Sequence, residues 1–153
     1  MPAPGDTAPD FTLPRDGGGS VTLSALQPGR AVVYFYPKDD TSGCTLEARD
    51  FTELGADFAA QGVTVIGISK DSVAAHDKFV KKHGLGVILA SDEGGTTCED
   101  YGVWVEKNMY GKTYMGIQRA TFLIGGDGAV QKIWPKVSAK GHADAVLAAV
   151  REG

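Results

Sequence analysis

A chain of 153 residues with 42% hydrophobic and 22% charged residues can bury one sizeable core and is neither disordered nor fibrous. Its net charge of -4 offers no basic stripe to a nucleic acid or an anionic membrane, and no apolar run approaches the ~20 residues of a membrane span. Two cysteines are too few for a disulfide framework at this length, so a reducing cytoplasm is the expected compartment and cysteine chemistry there points to catalysis.

The start, MPAPGDTAPDF, has neither a basic region nor an apolar core and so does not read as a secretory signal, and Met1 to Pro9, with three prolines and a Gly-Asp pair, is expected to lie irregularly on the surface. Phe11 to Leu13 and Val21 to Leu23 flank the turn residues of PRDGGGS and predict a small β-hairpin. Ala31 to Tyr36 is a continuous apolar run, as expected of a strand buried on both faces. From Thr41 to Gln61 the period changes: Ala48, Phe51, Leu54, Gly55 and Phe58 recur at helical steps, with Thr41 and Ser42 available as caps and Gly62 as the stop. Val63 to Ile68 is a second buried strand, completing a β-α-β unit whose crossover should be right-handed.

Ser72 to His83 predicts another helix between a serine or aspartate cap and Gly84. Its Lys78, Lys81 and Lys82 read as a solvated face. A short strand at Val87 to Leu89 and a brief helix at Thr96 to Tyr101 follow. Val103 to Gly116 shows no clear period and is expected to be a long surface excursion. Ala120 to Ile124 and Ala129 to Trp134, joined by GGDG, predict a hairpin, and His142 to Arg151 a closing helix with Ala143, Val146, Leu147 and Val150 on one face. This order implies an α/β fold with a mixed central sheet covered by helices, in a single domain over residues 1–153.

Cys44 sits where the first buried strand gives way, through PKDDTSG, to a helix. A helix start carries partial positive charge and free N–H groups, which favour a thiolate there. The alternative is a small buried packing residue, but the polar loop before it is poor company for one. A Cys-x-x-Cys redox pair is excluded, because Thr41 and Glu47 occupy the positions three away. Arg119, by its position alone, is either a surface charge at a strand end or a donor to such a site.

Pro37, Thr41 and Cys44 match the P-x-x-x-T-x-x-C signature of peroxiredoxins. The longer string FYPKDDTSGCTLEARDF resembles the peroxiredoxin Q branch, the bacterioferritin comigratory proteins. GDTAPDFTL, VIGISKDSVAAHDKF, YGVWVEKNMYGKTYMGIQRATFLI and KVSAKGHADAVL extend the resemblance over nearly the whole chain. It implies a thioredoxin-like fold of peroxiredoxin type and reduction of hydrogen peroxide and organic hydroperoxides with no cofactor and no metal. It also implies roles: Cys44 as the peroxidatic cysteine, Thr41 contacting thiolate and substrate, Pro37 shielding the pocket, and Arg119 as the active-site arginine. Such chemistry needs a thiolate and fixed donors aimed at the peroxide oxygens, which the Gly43 and Cys44 amides, Thr41 and the planar guanidinium of Arg119 can supply.

One departure stands out. Members of that branch often place a resolving cysteine five residues after the peroxidatic one or on the following helix, and this chain has Arg49 and Val80 there. Cys98 is the remaining candidate, and its other reading is a packing residue. The expected cycle therefore uses one cysteine. Its sulfenic acid would be reduced by an external thiol, from thioredoxin, glutaredoxin or a small molecule, in a monomeric protein. A Cys44–Cys98 disulfide cycle and a redox sensor or holdase on the same fold are the alternatives. His76 and His83 lack a third metal ligand, Asp39 and Asp40 read as solvated loop residues, and Lys38 and Glu47 as groups that tune the pocket or cap the helix.

Overall fold

The computed structural model describes residues 1–153 and opens with a small antiparallel hairpin, β1 (Thr12–Pro14) and β2 (Ser20–Thr22), with Leu13 opposite Val21. Each arm is displaced by one residue from the expected position. A 3-10 turn (Leu23–Leu26) then leads into β3 (Arg30–Phe35), the apolar run, of which only Arg30 is not fully buried. The chain continues through α1 (Ser42–Glu53), α2 (Gly55–Ala60), β4 (Val63–Ser69), α3 (Val73–His83), β5 (Ile88–Ser91) and α4 (Thr97–Asp100). It ends with β6 (Trp104–Met109), β7 (Lys112–Ile117), β8 (Ala120–Ile124), β9 (Val130–Trp134) and α5 (His142–Glu152).

Five strands form the central sheet in the order β5-β4-β3-β8-β9. β3 and β4 run parallel, as do β4 and β5, whereas β8 is antiparallel to both β3 and β9. This is the mixed sheet that the element order implied, with β3 at its centre. Successive side chains of a strand face opposite sides, so β3 feeds two cores. Val32 and Tyr34, with Tyr36 beyond the strand end, join one core with Cys44, Phe51, Phe58, Phe79 and the apolar face of α5. Ala31, Val33 and Phe35 join the other with Phe11, Cys98, Tyr101 and Phe122. Each fully buried phenylalanine contributes about 1.5–3 kcal/mol relative to exposure, so both layers are strongly held.

The position of α1 is set by aromatic packing. Phe51 stacks on Tyr34 of β3 with ring centroids 4.8 Å apart, and Phe58 of α2 lies 5.8 Å from Phe51. Room for Tyr34 depends on Gly67 of β4, where a Cβ would sit 2.6 Å from the ring. The apolar stripe runs from α1 into α2, but the predicted single helix from Thr41 to Gln61 is interrupted at Leu54, next to Gly55. Glycine is a poor helix former, and the stripe alone does not report such a break.

α3 is bounded as its residues dictate. Ser72 accepts the Ala75 N–H in its hydroxyl, and Gly84 ends the helix with φ of 62°, a conformation glycine adopts without penalty. The expected surface excursion at Val103 to Gly116 is instead a regular hairpin, β6 with β7, turning at Tyr110 and Gly111, both with positive φ. Its strand residues are mostly exposed, so no alternating pattern betrays them. No helix is long and apolar enough to cross a membrane.

Candidate active site

Cys44 lies in the first turn of α1 and is 1% exposed. The first helical bond runs from the Thr45 N–H to the Thr41 carbonyl at 2.8 Å, which leaves the Ser42, Gly43 and Cys44 N–H groups with no acceptor in the helix. Thr41 occupies the N-cap with extended backbone, yet its side chain caps nothing, and neither does that of Ser42. The Thr41 hydroxyl donates to the Lys38 carbonyl at 2.8 Å and makes no hydrogen bond to Cys44 Sγ. The expected cap is thus absent, and the N-terminal amides with their positive end of the helix dipole stay available beside the thiol.

Arg119, between β7 and β8, completes the arrangement. Its Nη2 donates to Cys44 Sγ at 3.2 Å and its Nη1 to Glu47 Oε1 at 2.7 Å. Cys44 and Glu47 are three apart on α1, hence neighbours on one helix face, and the planar guanidinium spans them. Burial opposes the charge on Arg119, but Glu47 and the sulfur outweigh it and raise its pKa further. Glu47 is 0% exposed, and burial pushes its carboxyl up to about 7 in spite of Arg119. Its second oxygen, Oε2, has no hydrogen-bond partner. Glu47 is therefore more than a group that tunes the pocket: it sets the orientation of the arginine.

Gly43 is pressed against the same group. A Cβ there would lie 3.2 Å from Arg119 Nη2, closer than ordinary contact. Gly43→Ala should shift the guanidinium by a few tenths of an ångström and slow Cys44 oxidation by about tenfold, since small misplacements at a reacting centre are costly. A stopped-flow rate equal to that of the parent would show that the arginine has slack.

Pro37 is exposed and lines a surface groove of about 380 Å³ with Lys38, Trp104, Lys107 and Tyr114. Lys107 is the groove residue whose charge feels both Arg119 and Cys44. Its pKa is lowered by burial and by Arg119, with Cys44 acting in the opposite sense. On the inner side His142 of α5 meets the Thr121 hydroxyl at 2.7 Å, and burial together with Arg119 lowers its pKa to about 4. It is neutral at pH 7. Nothing in the sequence marked it, because it is brought to the site only by packing of α5 on the sheet.

The remaining candidates are placed elsewhere. Cys98 is fully buried in the core on the other face of the sheet from Cys44. Burial and a hydrogen bond to Asp92 push its thiol pKa far up. Arg49 is exposed on α1, and Val80 is half-buried on α3. His76 and His83 face different carboxylates, Asp39 and Asp40 respectively. Asp40 is exposed as expected, but Asp39 is 9% exposed and hydrogen-bonded, which corrects its reading as a solvated loop residue.

The model of the AhpC/TSA family matches residues 4–133, and the chain belongs to that family. It is a thiol-dependent peroxidase that acts on peroxides at the expense of a thiol reductant. Within the family it is similar to the putative peroxiredoxin Bcp of Coxiella burnetii, at 49% identity over 94% of this chain and 95% of the relative. The peroxiredoxin Bcp of Bacillus subtilis is 43% identical over 97% and 94% of the two chains. Among solved structures, the bacterioferritin comigratory protein of Xanthomonas campestris superposes with a TM-score of 0.88 at 45% identity, covering 93% of this chain and 90% of the other. A cysteine-to-serine variant of Xylella fastidiosa PrxQ superposes with a TM-score of 0.94 at 36% identity, over 99% and 97%. The peroxiredoxin Q resemblance and the peroxiredoxin type of thioredoxin fold are thereby established.

Proposed function

We propose that this peroxidase runs a one-cysteine cycle at Cys44. The thiolate attacks one peroxide oxygen, the O–O bond breaks, and water or an alcohol leaves after taking up a proton. Cys44 is left as a sulfenic acid. Negative charge moves from sulfur to the departing oxygen, so donors that follow it lower the barrier. Arg119 and the Gly43 and Cys44 amides are those donors, and the Thr41 hydroxyl, whose hydrogen is used on the Lys38 carbonyl, can act toward the substrate only as an acceptor. Pro37 at the groove rim limits water access. The observation that carries this reading is the 3.2 Å contact of Arg119 Nη2 with a thiol in an uncapped helical turn.

An external thiol then attacks the sulfenic acid, expels water and forms a mixed disulfide, which a second thiol reduces. Thioredoxin, glutaredoxin or a small thiol in the cytoplasm fits this role. Support comes from Cys98, which is buried across the sheet, whereas a disulfide needs Cα atoms within about 7 Å. The reading takes the protein as a monomer with no nucleic-acid or membrane partner. Mass spectrometry of peroxide-treated, thiol-free protein tests it. The expected product is a sulfenic or sulfinic acid on the Cys44 peptide; a 44–98 disulfide would overturn the one-cysteine cycle. Stoichiometric oxidation without turnover when thiol is added would point instead to a redox sensor.

A further inference from the structure

The two adjacent aspartates of the loop between β3 and α1 are both held by α3. Asp40 is exposed and accepts from Lys82 Nζ at 2.7 Å, with His83 Nε2 at 2.8 Å. Its backbone is in the left-handed region, with φ of 59°, which aspartate enters more readily than most residues other than glycine. Asp39 turns inward. Its Oδ1 accepts the Tyr36 hydroxyl, its Oδ2 lies 2.6 Å from His76 Nδ1, and its N–H donates to Asp71 Oδ2 at 2.9 Å. Asp71 in turn accepts the Ser69 hydroxyl at 2.6 Å.

The hydrogen count on this cluster is decided by geometry. His76 is fully buried, and its Nε2 lies 3.0 Å from the carbonyl oxygen of Ala90 on β5. A carbonyl only accepts, so Nε2 carries a hydrogen. Between Nδ1 and Asp39 Oδ2 there must be another, held by the ring or by the carboxyl. The pair therefore contains one proton more than a neutral imidazole and a carboxylate. That proton ties the loop to α3, and the Nε2–H of the same ring ties α3 to β5.

We propose that Asp39 and His76 are the positioning residues of the peroxidatic loop, their shared proton holding the turn from Pro37 to Thr41, and with it the first turn of α1, in the reactive arrangement around Cys44. The inference rests on the peroxidase reading of Cys44 and adds a pH-dependent element to it. The groups that face His76 are Asp39 and, through it, Tyr36, then Asp71 and the Ala90 carbonyl; none is a cation. Burial by itself would lower the histidine pKa, but the hydrogen bond and charge of Asp39, with Ala90 and Asp71, raise it on balance above the usual value. A group with a raised pKa gives its full stabilisation below its unfolded pKa and loses it as pH rises through the folded one. The loop is thus held below the folded pKa of the pair and loosens as pH rises through it.

Asn at position 39 is a discriminating replacement. Its carbonyl accepts from Tyr36 and its amide donates to a neutral His76, so every hydrogen bond survives without the extra proton. The experiment records the rate of Cys44 oxidation by hydrogen peroxide from pH 5 to 10. In parallel, hydrogen exchange reports the protection of the Thr45 amide, whose partner is Thr41. The parent rate should fall toward alkaline pH, approaching about tenfold per pH unit, with Thr45 protection lost over the same range. Asp39→Asn should show no such fall, and a fall caused by Glu47 would persist in it. His76→Phe should slow the reaction at every pH. A parent profile with no alkaline fall, or an equal fall in Asp39→Asn, overturns the proposal. If Cys44 does not react with peroxide at any pH, the peroxidase reading fails, and the Thr45 protection still decides the role of the pair.

Discussion

Replacing Arg119 by alanine should slow Cys44 oxidation by hydrogen peroxide by about 10²–10³-fold, the usual loss when one donor to a developing oxyanion is removed. The guanidinium touches the sulfur at 3.2 Å and is held by Glu47 at 2.7 Å, a fixed position from which the proposed donation to the departing oxygen would act. Misfolding is not the expected cause. Deleting a buried cation normally strands its partner at a cost of several kcal/mol. Here the partner's carboxyl is already raised to about 7, and without Arg119 it rises further and takes up a proton. Glu47 then sits neutral in the core, and the domain survives. Arg119→Lys keeps the charge but cannot bridge sulfur and carboxylate in one plane, so its rate should fall between the two. The measurements are second-order rate constants with Cys44→Ser as the baseline of no reaction, and thermal unfolding as the check on folding. A near-parental rate in Arg119→Ala would remove the arginine from the mechanism.

The parts of this site differ in how visible they were in the chain. The strand β3, the start of α1 and the position of Cys44 follow from local pattern: an apolar run, a polar loop and a change to helical period. Ser72 and Gly84 bound α3 by chemistry that acts within a few residues. By contrast, Asp39 and His76 are 37 residues apart and Thr121 and His142 are 21 apart, and no periodicity links them. Each pair exists because sheet and helices bring distant segments together, so a loop aspartate read as solvated turns out to be buried. The hairpin β6–β7 was hidden for a different reason. Strands exposed on both sides carry no alternation, and the turn uses Tyr110 with positive φ rather than the asparagine or aspartate that usually announces such a turn. Arg119 is intermediate: its type suited the chemistry, but only the packing of β8 beside β3 places it on Cys44.

The largest loss of stability from a single polar change should come from Asp92→Ala, at about 2–6 kcal/mol, since two buried N–H groups lose their acceptor at about 1–3 kcal/mol each. The Asp92 carboxylate is 0% exposed. It accepts the Thr97 N–H at 3.1 Å and the Cys98 N–H at 2.8 Å, pairs with Lys70 at 3.2 Å, and takes the Cys98 thiol as a further donor. Burial alone would raise its pKa, but these donors lower it on balance. Because the folded pKa is depressed, the stabilisation is present above the unfolded value and lost as pH falls through the folded one. Urea unfolding at neutral pH should therefore show a large drop in midpoint with an unchanged m-value, and the gap between parent and variant should narrow in acid. Lys70 is not stranded, since Glu99 at 2.9 Å and the Gly95 carbonyl at 3.2 Å remain; the cost lies in the two buried N–H groups. The rate of Cys44 oxidation per folded molecule should not change, because Asp92 serves the core across the sheet. A variant as stable as the parent would show that α4 is held by its apolar contacts alone. A 44–98 disulfide appearing only in this variant would mean that Asp92, rather than the sheet, is what keeps the second thiol out of the cycle.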